Sequence, residues 1–374
     1  MAGLYLHIPF CKQACYYCDF HFSTNHQQTE QLVQAICHEL RIQKEYLGGE
    51  VIETIYFGGG TPSLLAFEQI TLLMKAIKDS FVVTAMPEVT LEANPDDLTT
   101  EKLKELRAAG INRLSIGIQS FDDTILRFFN RAHNAAQAEK CINDAHLLGF
   151  TNLSLDLIFG APHQTLQSLE RDLSRFIDFA PKHISAYSLT IEEKTVFGHQ
   201  LKNGTFSVLS EVQVAEQFKY VMKRLEEAGY EQYEISNFCR PGYYSKHNTS
   251  YWQQKKYLGV GPSAHSYDGQ SRQWNVANNH LYIRSLAQGA VPFEREVLTR
   301  TNQINEYFFT TLRTRWGTDL TFLQRVFDFT PDPQKIDLLQ QQGLIQIENE
   351  RLTLTRPGKL LADKIALEFF IDEG

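Results

Sequence analysis

The sequence predicts an α/β protein: a partial (βα)6 barrel of TIM-like type, followed by a small winged-helix-like C-terminal domain. Three observations carry this. Short β-branched or apolar runs alternate with amphipathic stretches through residues 1–230. The alternation then lapses into a Gly-, Tyr- and Asn-rich stretch, so residues 231–300 read as an irregular extension or linker. From 301 to 374, helical periods precede two short strands and a last helix.

Strand-like runs fall at 4–8, 52–57, 88–93, 113–119, 152–159 and 183–190. Between them, helical patterns occupy 29–47, 67–81, 99–109, 135–148 and 166–179, several ending at Gly110, Gly149 or Pro181, residues that suit helix stops. A further helix at 211–229 leads into a strand-like YEQYEIS. Residues 241–279 show little periodicity, and long irregular segments in compact domains are often functional. In the last module, helices at 305–315, 320–327 and 332–342 precede GLIQIE and RLTLT, and a helix at 357–370 closes the chain.

At 374 residues and 43% hydrophobic, the chain has apolar material for about two domains. A net charge of -8 gives no general attraction to phosphate backbones. The C-terminal module carries 8 basic against 11 acidic residues, the wrong sign for a DNA-binding winged helix. Nucleic acid is therefore not an expected partner. The N-terminal apolar run is too short for a signal segment and no uncharged stretch approaches ~18 residues, so a cytoplasmic location is expected.

Three of the six cysteines crowd into Cys11-Lys-Gln-Ala-Cys15-Tyr-Tyr-Cys18, directly after the first strand. This spacing lets three thiolates converge on one centre, and three ligands on a four-iron cubane leave one iron open. An open iron can chelate the amino and carboxylate groups of S-adenosylmethionine, and an electron from the cluster can cleave its S–C bond to give a 5′-deoxyadenosyl radical. The alternative is structural zinc, which wants a fourth ligand such as Asp19 or His21. Tyr16, Tyr17 and Phe20 would lay apolar surface around the cluster, or simply pack. Cys37 and Cys141 sit on apolar helix faces and read as small core residues, while Cys239 stays undecided.

The run YLHIPFCKQACYYCDF resembles the opening of the HemN/HemW branch of the radical-SAM superfamily, and the likeness extends over nearly the whole chain. That branch contains oxygen-independent coproporphyrinogen III oxidases and heme chaperones. Phe57-Gly-Gly-Gly-Thr-Pro-Ser63, one strand later, looks like the family's glycine motif, where backbone groups approach the cofactor closely. The resemblance implies a [4Fe-4S] cluster on Cys11, Cys15 and Cys18. It implies that Glu92 and Arg131 address the amino and carboxylate ends of S-adenosylmethionine, and that Gln119 and Asp156 hold its ribose hydroxyls. Tyr5, Tyr17, Gly59, Gly60 and Thr61 would complete the pocket. Glu92, Gln119 and Asp156 stand at strand ends, where barrels gather their chemistry. Taken singly, each reads equally well as a satisfied core hydrogen bond or a cap.

Three departures separate this chain from the oxidases of the branch. Phe20 stands where they carry a fourth cysteine. Only ten residues precede Cys11, so their N-terminal segment is expected to be missing. His247-Asn-Thr-Ser-Tyr-Trp252 matches the H-N-x-x-Y-W signature of the chaperones, which makes His247 a candidate heme-iron ligand. An ordinary loop histidine is the competing reading. Tyr251 and Trp252 would stack on a porphyrin or anchor the segment, and His265 in GVGPSAHS is a second candidate. The resemblance thus implies a heme chaperone with heme and an apo-hemoprotein recipient as partners; the alternative is an oxygen-independent coproporphyrinogen III oxidase or another radical-SAM enzyme. A homodimer and a peripheral membrane contact stay open.

Overall fold

The sheet is built on a division between its two faces. The computed structural model describes residues 1–372. Parallel strands β1 (Ala2–Ile8), β2 (Ile52–Gly59), β3 (Val83–Ala93), β4 (Arg113–Gln119), β5 (Leu153–Phe159) and β6 (His183–Ser188) lie side by side in chain order. Alternate residues such as Leu4, Leu6, Ile55, Leu91, Leu114, Ile116, Leu155 and Ile184 are fully buried in one apolar core. That core is completed by α1 (Thr29–Ile42), α2 (Phe67–Ser80), α3 (Thr100–Ala108), α5 (Ala135–Leu147), α6 (Leu166–Asp178) and α8 (Glu211–Glu227). Each buried Leu or Ile contributes about 2 kcal/mol, so this layer drives assembly. Residues of the opposite register, including Tyr5, Tyr56, Thr90, Glu92, Arg113, Ser115 and Asp156, form a polar inner face. Short α4 (Asp123–Phe128) and α7 (Val196–Lys202) flank the C-terminal strand ends.

The six expected βα units are present, with shifted boundaries. The first helix stops at Ile42 rather than 47, and residues 44–49 form turns ending in Gly48 and Gly49 with left-handed backbone.

Residues 231–300, expected to be irregular, extend the sheet at both edges. On one side β8 (Asn237–Cys239) pairs antiparallel with β6, and β7 (Glu231–Gln232) pairs with β8. Helix α9 (Lys246–Trp252) then crosses to the other side, where β9 (Tyr257–Val260) runs parallel to β1. Strands β10 (His265–Tyr267), β11 (Ser271–Asn275) and β12 (Phe293–Val297) follow as antiparallel neighbours, with α10 (Asn279–Ala287) inserted before the last. Among the described residues the result is one twelve-stranded sheet. These strands are short, and β12 is exposed along its length, so their order depends on partners distant in sequence.

The C-terminal module comprises α11 (Arg300–Thr311), β13 (Thr318–Asp319), α12 (Leu320–Phe327), α13 (Pro333–Gln341), β14 (Ile345–Glu348), β15 (Arg351–Leu354) and α14 (Ala362–Glu368). Its three strands make a separate antiparallel sheet in the order β13-β15-β14, over a core including Ile304, Phe308, Leu352 and Phe369. Helix α11 begins five residues earlier than its pattern suggested because the Thr299 hydroxyl caps it, accepting from the Asn302 N–H at 3.1 Å. Among the described residues no helix is long and apolar enough to cross a membrane.

Glu39 of α1 fastens the edge extension. Its fully buried carboxylate accepts from the Gly261 N–H at 2.8 Å, Asn275 Nδ2 at 2.7 Å, Gln43 Nε2 at 2.9 Å and the Tyr282 hydroxyl. Burial raises its pKa, while the four donors lower it. Glu39→Ala strands these donors in a dry interior, and a loss of about 3 kcal/mol is expected in urea unfolding.

Candidate cofactor site

The chemistry-bearing residues gather at the C-terminal ends of β1 to β6. Strands β2 to β6 deliver their C-terminal residues, and β1 the loop that follows it, to a pocket of about 590 Å³. Cys11, Cys15 and Cys18 line it together with Tyr17, Gly59, Gly60, Thr61, Glu92, Gln119, Arg131 and Asp156.

The cysteine loop is seated by the glycine run. The Gly60 N–H donates to the Ile8 carbonyl at 2.9 Å, and the Thr61 N–H to the Phe10 carbonyl at 2.7 Å, one residue before Cys11. A Cβ at Gly60 would stand 2.7 Å from the Phe10 carbonyl oxygen, and one at Gly59 would stand 2.6 Å from the His7 ring. Gly59 also has φ of +106°, so both positions require glycine. The Thr61 hydroxyl donates to Cys11 Sγ at 3.5 Å. On the far side, Tyr17 packs edge-on against Phe129, and Asn130 Nδ2 donates to the Ala14 carbonyl at 2.8 Å.

Arg131 joins the loop to the sheet. Nη1 donates to Cys15 Sγ at 3.3 Å and to the Tyr17 hydroxyl at 3.2 Å. Nη2 donates to the Gly117 carbonyl at 2.7 Å and to Asn94 Oδ1. Nε is buried with no hydrogen-bond partner. Glu92 accepts from the Tyr56 hydroxyl at 2.7 Å and the Gly59 N–H at 3.1 Å. Burial above all, with Asp156 adding, pushes its pKa up to about 7 despite those donors. Asp156, raised to about 6 chiefly by burial, accepts from the Ser115 hydroxyl at 3.4 and 3.5 Å. Gln119 closes β4 in the left-handed region at φ 67°, where the register with β5 shifts. Backbone strain of this kind concentrates at functional sites.

Two candidate residues lie elsewhere. Tyr5 does not line the pocket: it sits beneath Gly58, its hydroxyl 3.3 Å from His7 Nδ1. His247 is 1% exposed, inside the polar face of the sheet, with Nδ1 2.8 Å from the Thr54 hydroxyl and Nε2 2.7 Å from the Tyr251 hydroxyl. Its ring stacks on Tyr56, centroids 5.0 Å apart, and Gly3 leaves the space it fills. Both ring nitrogens are engaged, and His247 holds α9 to β2. His265 is exposed and stacks on Trp274. Phe20, expected to pack near the cysteines, is 71% exposed at the pocket's edge. Cys37, Cys141 and Cys239 are buried. Asn94, whose amide donates to the Thr61 hydroxyl at 3.1 Å, was missed, although its position after β3 in EANP carries the same strand-end signal as Glu92.

Residues 5–176 match the family model described as the Radical SAM superfamily, and residues 298–361 match the HemN C-terminal domain. The chain is 37% identical over 371 residues to the heme chaperone HemW of Bacillus subtilis, covering 98% of both. It is 34% identical over 368 residues to that of Mycobacterium tuberculosis, covering 97% of this chain and 93% of the relative. The chain belongs to the HemN/HemW branch of the radical-SAM superfamily. Its fold is similar to the solved structure of coproporphyrinogen III oxidase (HemN) from Escherichia coli, a radical-SAM enzyme, with a TM-score of 0.86 and 26% identity. That match covers 98% of this chain and 89% of the other.

Superfamily membership implies a [4Fe-4S] cluster and S-adenosylmethionine, and the residues present fit both. Among the described residues no three His, Cys, Asp or Glu side chains are grouped to hold a single ion. The orphaned Arg131 Nε and the cradle at Gly59 and Gly60 are the features an anionic, closely approaching ligand would complete.

Replacing His247 by Ala leaves the Thr54 and Tyr251 hydroxyls without their partner. A loss of about 2 kcal/mol is expected in urea unfolding of the heme-free protein. Unchanged stability would show that the ring is not part of the folded scaffold.

Proposed function

We propose that this chain is a heme chaperone, binding heme and passing it to an apo-hemoprotein such as a respiratory enzyme. The observation that carries the reading is the match to heme chaperones along nearly the full length of both chains. Phe20 at the fourth-cysteine position of the oxidases supports it.

In this reading Cys11, Cys15 and Cys18 would hold the cluster, which would supply electrons and an open iron. Arg131 would address the cofactor's carboxylate, and Glu92, oriented by Tyr56 and Gly59, would accept from its amino group. Asp156 and Gln119 would address the ribose, with Tyr17 and Thr61 in the pocket wall.

The alternative, an oxygen-independent coproporphyrinogen III oxidase, draws on the similarity to the Escherichia coli fold. Incubation with dithionite, S-adenosylmethionine and coproporphyrinogen III separates the two. No protoporphyrinogen is expected, together with a Soret band on hemin titration and hemin transfer to an apo-cytochrome. Product formation would overturn the chaperone-only reading.

Cofactor affinity should depend on pH through Glu92. A carboxyl with pKa about 7 takes up a proton as pH falls, and the neutral form is a weaker acceptor for the N–H of the cofactor's amino group. S-adenosylmethionine binding by calorimetry is expected to weaken several-fold from pH 8 to pH 6, and Glu92→Gln to bind weakly with a flatter profile.

A further inference from the structure

Between Cys11 and Cys18 the loop carries one charged side chain, Lys12, and it does not line the cofactor pocket. Its ammonium reaches instead to the 3₁₀ turn Pro95–Asp97 that follows β3. There it pairs with Asp96 Oδ2 at 2.9 Å and with Asp97 Oδ1. Asp97 also accepts from the Ser63 hydroxyl at 2.9 Å. Ser63 closes the FGGGTPS run whose Gly60 and Thr61 seat the start of the loop. One ion pair therefore links the cysteine loop, the turn after β3 and the glycine run.

The remaining ties of the loop run to the opposite side. Gln13 Nε2 donates to the Asn130 carbonyl at 3.0 Å, and the Tyr16 N–H to the Phe129 carbonyl at 3.2 Å, both just after α4. The Cys11 end thus leans on β3 through Lys12, while the Cys15 end leans on the segment that carries Arg131.

The charges in this pair are unequally buried. Side-chain exposure is 3% for Asp97 and 11% for Asp96, against 45% for Lys12. So exposed an ammonium adds little to folding stability. The field of the pair nevertheless reaches the first cysteine. Burial above all raises the Cys11 pKa, and among the nearby charges Arg131 lowers it while Asp97 adds to the rise. The potential of an iron–sulfur cluster follows the net charge and hydrogen bonds around its sulfurs. Two carboxylates without their cation would oppose the arrival of an electron.

We infer that Lys12 is a positioning residue for the proposed cluster, setting its reduction potential by offsetting the Asp96 and Asp97 carboxylates. The inference rests on the cluster reading and adds what tunes that cluster.

The test is a redox titration of the anaerobically reconstituted full chain, followed by the [4Fe-4S]+ electron paramagnetic resonance signal, with iron content measured for every variant. Lys12→Met is expected to lower the ratio of reduced to oxidised cluster at a fixed potential at least threefold, about 28 mV at ~59 mV per tenfold. Asp97→Asn is expected to raise that ratio, and its amide oxygen still accepts from Ser63. Lys12→Met/Asp97→Asn removes one charge of each sign and is expected to restore the wild-type ratio, as is Lys12→Arg. A purely mechanical clamp predicts otherwise, because the double variant lacks it as fully as the single one. Should Lys12→Met take up no iron, Asp97→Asn, which leaves the ammonium on Asp96, decides. An unchanged ratio in the single variants, or a double variant as displaced as Lys12→Met, would overturn the inference while leaving the cluster in place. Wild type without a [4Fe-4S]+ signal would remove the cluster reading as well.

Discussion

The site depends on one guanidinium. Arg131 touches a cysteine of the loop, the phenol of Tyr17, the amide of Asn94 and the backbone of β4, and none of these is a carboxylate. Burial works against its charge, and the Tyr17 and Cys15 groups beside it more than offset that. A buried cation is costly unless anionic partners surround it. Its unpartnered Nε leaves room for such an anion, which is what the proposed cluster and cofactor carboxylate would supply.

The scaffold sustains this arrangement by dividing the sheet. One face sinks Leu, Ile and Val into the helical layer, and the other keeps Tyr, Glu, Arg, Ser and Asp inside. Those polar groups are tied into chains. Glu92 is held by Tyr56, Tyr56 stacks on His247, and His247 is held by Thr54 and Tyr251. The HNxxYW run is thereby connected through packed side chains to the residue proposed to receive the cofactor's amino group.

The βα units and the winged module were legible because alternation and helical periods are local properties, and the glycine run because its steric demand belongs to Gly59 and Gly60 themselves. The extension at 231–300 was not. Its strands are five residues long or shorter, lie at sheet edges, and gain order from pairing that builds outward from β9 on β1 and β8 on β6. Cys11, Cys15, Cys18 and the strand-end polar residues were found at one pocket because strand direction alone brings their ends together. Tyr5 and His247 stand apart from that pocket for a different reason. A motif gives residue type and spacing, but whether a ring faces a ligand or the sheet interior is decided by neighbours such as Gly3 and Thr54, distant in sequence from His247.

At the centre stands the proposal that Cys11, Cys15 and Cys18 hold a cubane with one iron open to S-adenosylmethionine beside Arg131. Electron paramagnetic resonance of the dithionite-reduced, anaerobically reconstituted protein, with and without S-adenosylmethionine, tests it most directly. A [4Fe-4S]+ signal is expected whose g values shift on adding the cofactor, with the shift lost in Arg131→Met. A signal indifferent to the cofactor, or bound zinc in place of iron, would contradict it.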